Sequence, residues 1–127
     1  MIAVDTSALM AILLDEPETA ACSSALSTND RVVMSAATVA EALIVAERRG
    51  LGSEMTTLID GLGLEVESVT LAVARRVVES YARWGKGANP AGLNFGDYFA
   101  YELAKTRDCP LLYVGKDFAR TDVRSVL

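Results

Sequence analysis

The chain has 127 residues, enough for one domain with a real core and too few for two ordinary ones. Its composition, 51% hydrophobic and 23% charged with a net charge of −5, excludes a disordered segment and a strongly basic nucleic-acid binder. Histidine is absent, which removes Ser-His-Asp and Cys-His triads, histidine-ligated zinc and imidazole acid–base ribonuclease chemistry.

In chain order, the apolar run MIAV reads as a strand ending at Asp5, after which the spacing from Thr6 to Leu14 becomes helical. Asp15-Glu16-Pro17 breaks that pattern, and Pro17 suits the first turn of a second helix reaching Leu26. Arg31 to Met34 is the next strand, with Ser35 as N-cap of a helix that stops before Gly50. Ser53 can cap a short helix to Leu62, and Leu64 to Val69 alternates as a partly exposed strand. Thr70 caps a helix from Leu71 to Trp84. Residues 85–94 form a loop rich in Gly, Asn and Pro, and Leu93 or Asn94 leads into a helix to Thr106. Pro110 opens a strand over Leu111 to Gly115, and Val123 to Val126 is a weak last one. Short strands separated by helices predict an α/β domain: a parallel sheet of about five short strands with helices on both faces.

No apolar run approaches the ~20 residues that span a bilayer, and no basic segment precedes a hydrophobic one at the N-terminus. The expectation is a soluble, unexported, cytoplasmic single domain over residues 1–127. Cys22 and Cys109 lack CxxC spacing, which favours two buried reduced thiols over a disulfide or zinc site.

Ligands of parallel sheets bind beyond the carboxyl ends of the strands, where this topology brings Asp5, Glu41, Asp97 and Asp117. Each has a structural alternative. Asp5 can cap the first helix, with Thr6 and Ser7 beside it, or ligate a metal with hydroxyl support. Glu41 is the sole charged residue from Val32 through Ala46, so its helix reads as buried nearly all round. Its carboxylate then needs a cation, a proton or an ion pair with Arg48. Asp97 lies in a first helical turn, where the dipole favours an anion, with small Ala100 and Ala104 on its face leaving room for metal and substrate. Asp117 can be a turn residue in Gly115-Lys116-Asp117-Phe118 or a ligand. Four hard oxygen donors without His or Cys select Mg²⁺ or Mn²⁺, whose charge serves phosphodiester hydrolysis and offsets much of the acidity that would repel RNA.

Val4-Asp5-Thr6-Ser7-Ala8, the Glu41 helix, Asn94-Phe95-Gly96-Asp97-Tyr98-Phe99-Ala100 and Tyr113 to Phe118 together give a chain that resembles a PIN-domain endoribonuclease, of the kind found as the VapC-type toxin of toxin–antitoxin pairs. The resemblance runs nearly the full length. It implies that Asp5, Glu41, Asp97 and Asp117 form the acidic cluster that holds Mg²⁺ or Mn²⁺, with Thr6 or Ser7 as hydroxyl support. It also implies an RNA substrate, cleavage to a 5′-phosphate and a 3′-hydroxyl, a homodimer and inhibition by a VapB-type antitoxin. The sequence departs from the family at Lys116, where Asn or another polar residue is common. Lys116 is either a solvated turn lysine or a phosphate contact, and Lys86 is the one cation of the 85–94 loop.

Arg75 with Glu79 and Glu79 with Arg83 form i,i+4 pairs on an exposed helix face, and Tyr98, Phe99 and Tyr101 read as core or rim aromatics. Two other classes fit parts of the pattern. A phospho-accepting receiver domain has similar length and an acidic Mg²⁺ pocket, but wants adjacent acids after the first strand, where Val4 precedes Asp5. A haloacid-dehalogenase-like phosphatase wants Asp where Ser7 stands. A non-catalytic PIN fold that only binds RNA or protein is the third alternative, disfavoured by retention of all four acids.

Overall fold

Alternation within very short strands fixes the architecture. In a computed structural model describing residues 1–127, β1 (Ile2–Val4), β2 (Val32–Ser35), β3 (Glu65–Glu67) and β4 (Leu111–Leu112) form one parallel sheet in the order β3-β2-β1-β4. Ile2, Val4, Val32, Met34 and Leu112 point to one face. There they meet α1 (Thr6–Leu13), α2 (Thr19–Thr28), α3 (Ala36–Arg48) and α4 (Gly52–Gly61). Ala3, Val33 and Leu111 point to the other face, covered by α5 (Leu71–Trp84) and α6 (Phe95–Thr106). Each fully buried side chain such as Leu9 or Met34 contributes about 1.5–3 kcal/mol relative to exposure. Cys22 and Cys109 are both buried, one in each core layer, with the sheet between them.

The sheet has four strands rather than about five. Residues 123–126 make only an isolated bridge, Leu111 with Ser125. β4 is also shorter than read, because the Val114 N–H leaves the ladder and donates to Ser7 Oγ at 3.0 Å. Ser35 and Thr70 cap α3 and α5 as expected, and Asn94 caps α6, each accepting a backbone N–H of the first turn. Two other helix starts shift. Glu18 is the N-cap of α2, so Pro17 precedes the helix, and Leu51 occupies the cap of α4 while the Ser53 hydroxyl turns to Glu54.

Neither exposed pair expected along α5 forms: Arg83 reaches Asp122 instead of Glu79, and Arg76 beside them turns to Glu102 of α6. Tyr98, Phe99 and Tyr101 are all buried against the sheet. Ala100 and Ala104 do not leave open space: at 1% and 0% exposure they let α6 settle closely on the strands. α3 is not buried all round either, since it lies at the margin with Ala40 and Ile44 facing solvent.

Candidate active site

Asp5 ends β1 and caps α1. Its Oδ2 accepts the Ser7 N–H at 3.0 Å and the Ser7 hydroxyl at 2.6 Å, and that same hydroxyl accepts the Val114 N–H. Ser7 thus fixes Asp5 and ties it to the segment leaving β4. The Asp5 N–H donates to Leu112 O at 3.0 Å, extending the β1–β4 pairing to the site's edge. Asp5 Oδ1, by contrast, is buried with no hydrogen-bond partner. An orphaned buried acceptor of this kind costs about 1–3 kcal/mol, more when it carries charge.

Glu41, half-buried in α3, takes no Arg48. Its Oε1 accepts the Thr6 hydroxyl at 2.7 Å, which locks the carboxylate toward the end of β1. Its Oε2 lies against Gly96, so close that a Cβ at that position would collide with it. Sequence reading does not single out Gly96, although a glycine inside a first helical turn beside an acid is the available signal. One residue on, Asp97 is the third position of α6 in a capping box with Asn94. The Asn94 N–H donates to Asp97 Oδ2 at 3.0 Å and the Asp97 N–H to Asn94 Oδ1 at 3.1 Å. The N-x-x-D spacing announces this box.

Asp117 is exposed, on a turn that Gly115 makes with φ of +99° and that buried Phe118, packed 5.1 Å from Tyr113, anchors. Lys116 beside it and Lys86 in the 85–94 loop are exposed. Thr6 and Ser7 serve carboxylates, one each.

The four acids share one electrostatic neighbourhood. Burial raises the Asp5 pKa to about 6 against the lowering effect of the Ser7 hydrogen bonds, with Glu41 and Asp117 adding repulsion. Burial likewise raises Asp97 to about 7, the Asn94 N–H opposing and Asp5, Asp117 and Glu41 adding to it. The raised groups are therefore the two aspartates at element ends, set by how deeply each is desolvated. All six ion pairs of the protein involve other residues. The carboxylates neighbour one another without converging into a ready-made set of three ligands. The orphaned Asp5 Oδ1 and the all-oxygen donor set fit a hard divalent cation.

A separate cleft of about 190 Å³ lies between α5 and α6, lined by Arg76, Arg83, Lys105 and Glu102 among others. Its cations are already taken by Glu102 and Asp122, so it has little free charge to offer a ligand.

Residues 2–124 match the family model for the PIN domain. This chain is a PIN-domain protein of the VapC ribonuclease family. Among curated PIN relatives, Ribonuclease VapC28 of Mycobacterium tuberculosis is 42% identical, the match covering 98% of this chain and 96% of that one. Ribonuclease VapC of Mycolicibacterium smegmatis is 39% identical over 97% of this chain and 98% of its own. In fold, the PIN domain here superposes on the crystal structure of M. tuberculosis VapC20, described as a sarcin–ricin loop cleaving toxin. The TM-score is 0.81 with 17% identity, covering 99% of this chain and 98% of that one. It also matches VapBC2 from Rickettsia felis, solved bound to a DNA fragment from its promoter, at TM-score 0.71, 15% identity and 98% and 96% coverage. The PIN assignment displaces the receiver-like and dehalogenase-like alternatives.

Proposed function

We propose that this protein is a Mg²⁺- or Mn²⁺-dependent endoribonuclease and the toxin of a toxin–antitoxin pair, acting in the cytoplasm as a homodimer restrained by a VapB-type antitoxin. The observation that carries the reading is the buried Asp5 carboxylate with one oxygen unpartnered, facing Glu41 and Asp117 and repelling Asp97, with no protein cation among them. Buried charge of one sign is tolerated where a cation is to be bound. Full-length kinship to proteins named VapC ribonucleases supports the reaction class.

Asp5, Asp97 and Asp117 would hold the cation, with Glu41 a fourth ligand or the group that orients water. When bound, such a cation supplies Lewis-acid charge that acidifies water and offsets charge building on the scissile phosphate. The chain's own side chains do the rest. Ser7 and Asn94 hold Asp5 and Asp97 in fixed rotamers, so little reorganisation is needed when the cation and phosphate arrive. Glu41, aimed by Thr6, holds or takes a proton of the water that attacks phosphorus in line with the departing 3′-oxygen. The products are a 5′-phosphate and a 3′-hydroxyl. Exposed Lys116 and Lys86 are candidates for phosphate contacts at the rim.

The test is to incubate purified, antitoxin-free protein with total RNA in Mn²⁺ or in EDTA and to map the ends. Discrete cuts with 5′-phosphates that vanish in EDTA are expected. Cleavage that persists in EDTA, or no cleavage in either, sinks the reading.

A further inference from the structure

Phe95 opens α6 and leaves 73% of its surface exposed, more than any of the other exposed large apolar side chains. Its position is unusual for a ring left in water. Asn94 before it caps the helix, Gly96 after it lies against the Glu41 carboxylate, and Asp97 follows. Phe99, one turn on and buried, braces the ring from below in an edge-to-face contact, centroids 5.2 Å apart and planes at 76°. The ring is therefore held in place one residue along the chain from the Gly96 backbone that abuts Glu41, with most of its surface free.

The other aromatics nearby are committed. Tyr98 and Tyr101 are buried with their hydroxyls bonded to Leu93 O and Asp122, and Tyr81 packs edge-to-face on Tyr98. Charge does not hold RNA well here either, because the chain carries a net −5 and the site concentrates acids. A substrate at such a place needs an attraction independent of phosphate charge. A nucleobase has it: a neutral π-face for the ring and polar edges compatible with Asn94, Gly96 and the carboxylates around it. We propose that Phe95 is a stacking platform for one base of single-stranded RNA beside the bond cut at the carboxylate site, a positioning residue rather than a catalytic one. The proposal rests on the nuclease reading above and adds the nucleotide contact that sets where the strand lies.

The test compares wild type with Phe95→Ala, Phe95→Leu and Phe95→Trp. The readouts are Kd for a fluorescent, short single-stranded RNA of randomised sequence in Mg²⁺, KM and kcat on a cleaved RNA, and mass in solution. Phe95→Ala and Phe95→Leu should each raise Kd and KM about tenfold, the loss of one stacked base. kcat should stay within about twofold, and the loss should be equal at low and high salt because no ion is released. Phe95→Trp should restore binding. If Phe95→Leu binds as wild type does, or Phe95→Ala leaves KM unchanged, the ring is not stacking and the proposal fails. If Phe95→Ala instead changes the mass in solution, the ring belongs to a protein interface and the proposal fails equally. Wild type that neither binds nor cuts RNA overturns the nuclease reading and this one with it. A cutting wild type with an indifferent Phe95→Ala overturns this one alone.

Discussion

Glu102 and Asp5 are equally buried, at 5% exposure each, and they could hardly be handled more differently. On the α5–α6 side, one Glu102 oxygen receives the Arg76 guanidinium at 2.7 Å and the Thr106 hydroxyl at 2.8 Å. Nearby, Asp122 collects Tyr101, Lys105 and Arg83. At the carboxyl edge of the sheet, Asp5 and Asp97 receive only neutral donors and face further acids. Burial alone thus does not mark a site. What separates the two regions is whether the fold supplies the counter-charge, and in the second region it withholds it.

The largest expected effect tests the acids of the second region. Asp97→Asn keeps the capping geometry and removes a charge, so RNA cleavage should drop by roughly a hundredfold or more while the circular dichroism stays that of wild type. A folded variant that cuts at the wild-type rate would falsify the assignment of Asp97.

Metal should act on one region only. Saturating Mg²⁺ or Mn²⁺ is expected to stabilise wild type by up to about 2.7 kcal/mol at a hundredfold excess over Kd, seen as a rise in Tm. Asp5→Asn should lose most of that rise, and Glu102→Gln should keep it. Equal rises in all three would erase the distinction between the regions.

Glu102→Ala probes the paired side. It should destabilise by about 2 kcal/mol, less than a fully buried pair because Arg76 keeps part of its surface in water, and leave cleavage per folded molecule intact. Urea unfolding measures the first and initial rates the second. A loss of activity without a loss of stability would move Glu102 into the active site.

The last comparison is in pH. In EDTA, folded Asp97 titrates at about 7 against an ordinary 3.8, so the folded state keeps a proton the unfolded chain has released. Its contribution is therefore fully present at low pH and is lost as pH climbs through 7. The Tm advantage of Asp97→Asn over wild type should be near zero at pH about 4 and widen to a plateau above about 7. A gap that is flat or narrows with rising pH contradicts the raised pKa.

Much of this was legible in the residues. The apolar runs ending at Asp5 and near Ser35, the caps Ser35, Thr70 and Asn94, and the helix from Leu71 to Trp84 are local signals, and local hydrogen bonds satisfy them in the structure. The four acids stand out in sequence because strand ends and helix starts in a parallel α/β chain gather at one edge. Long-range competition decided the rest. Val114 spends its N–H on Ser7 and so ends β4 early, Thr6 rather than Arg48 takes Glu41, and Asp122 rather than Glu79 takes Arg83. The room beside Glu41 comes from Gly96 on another helix, not from Ala100 and Ala104 next to Asp97 on its own. Sequence determined which residues are acids, caps and core, because those depend on a few neighbours. Only the tertiary structure decided which carboxylate would be neutralised and which left bare, because a counter-charge is chosen from every side chain the fold brings within reach.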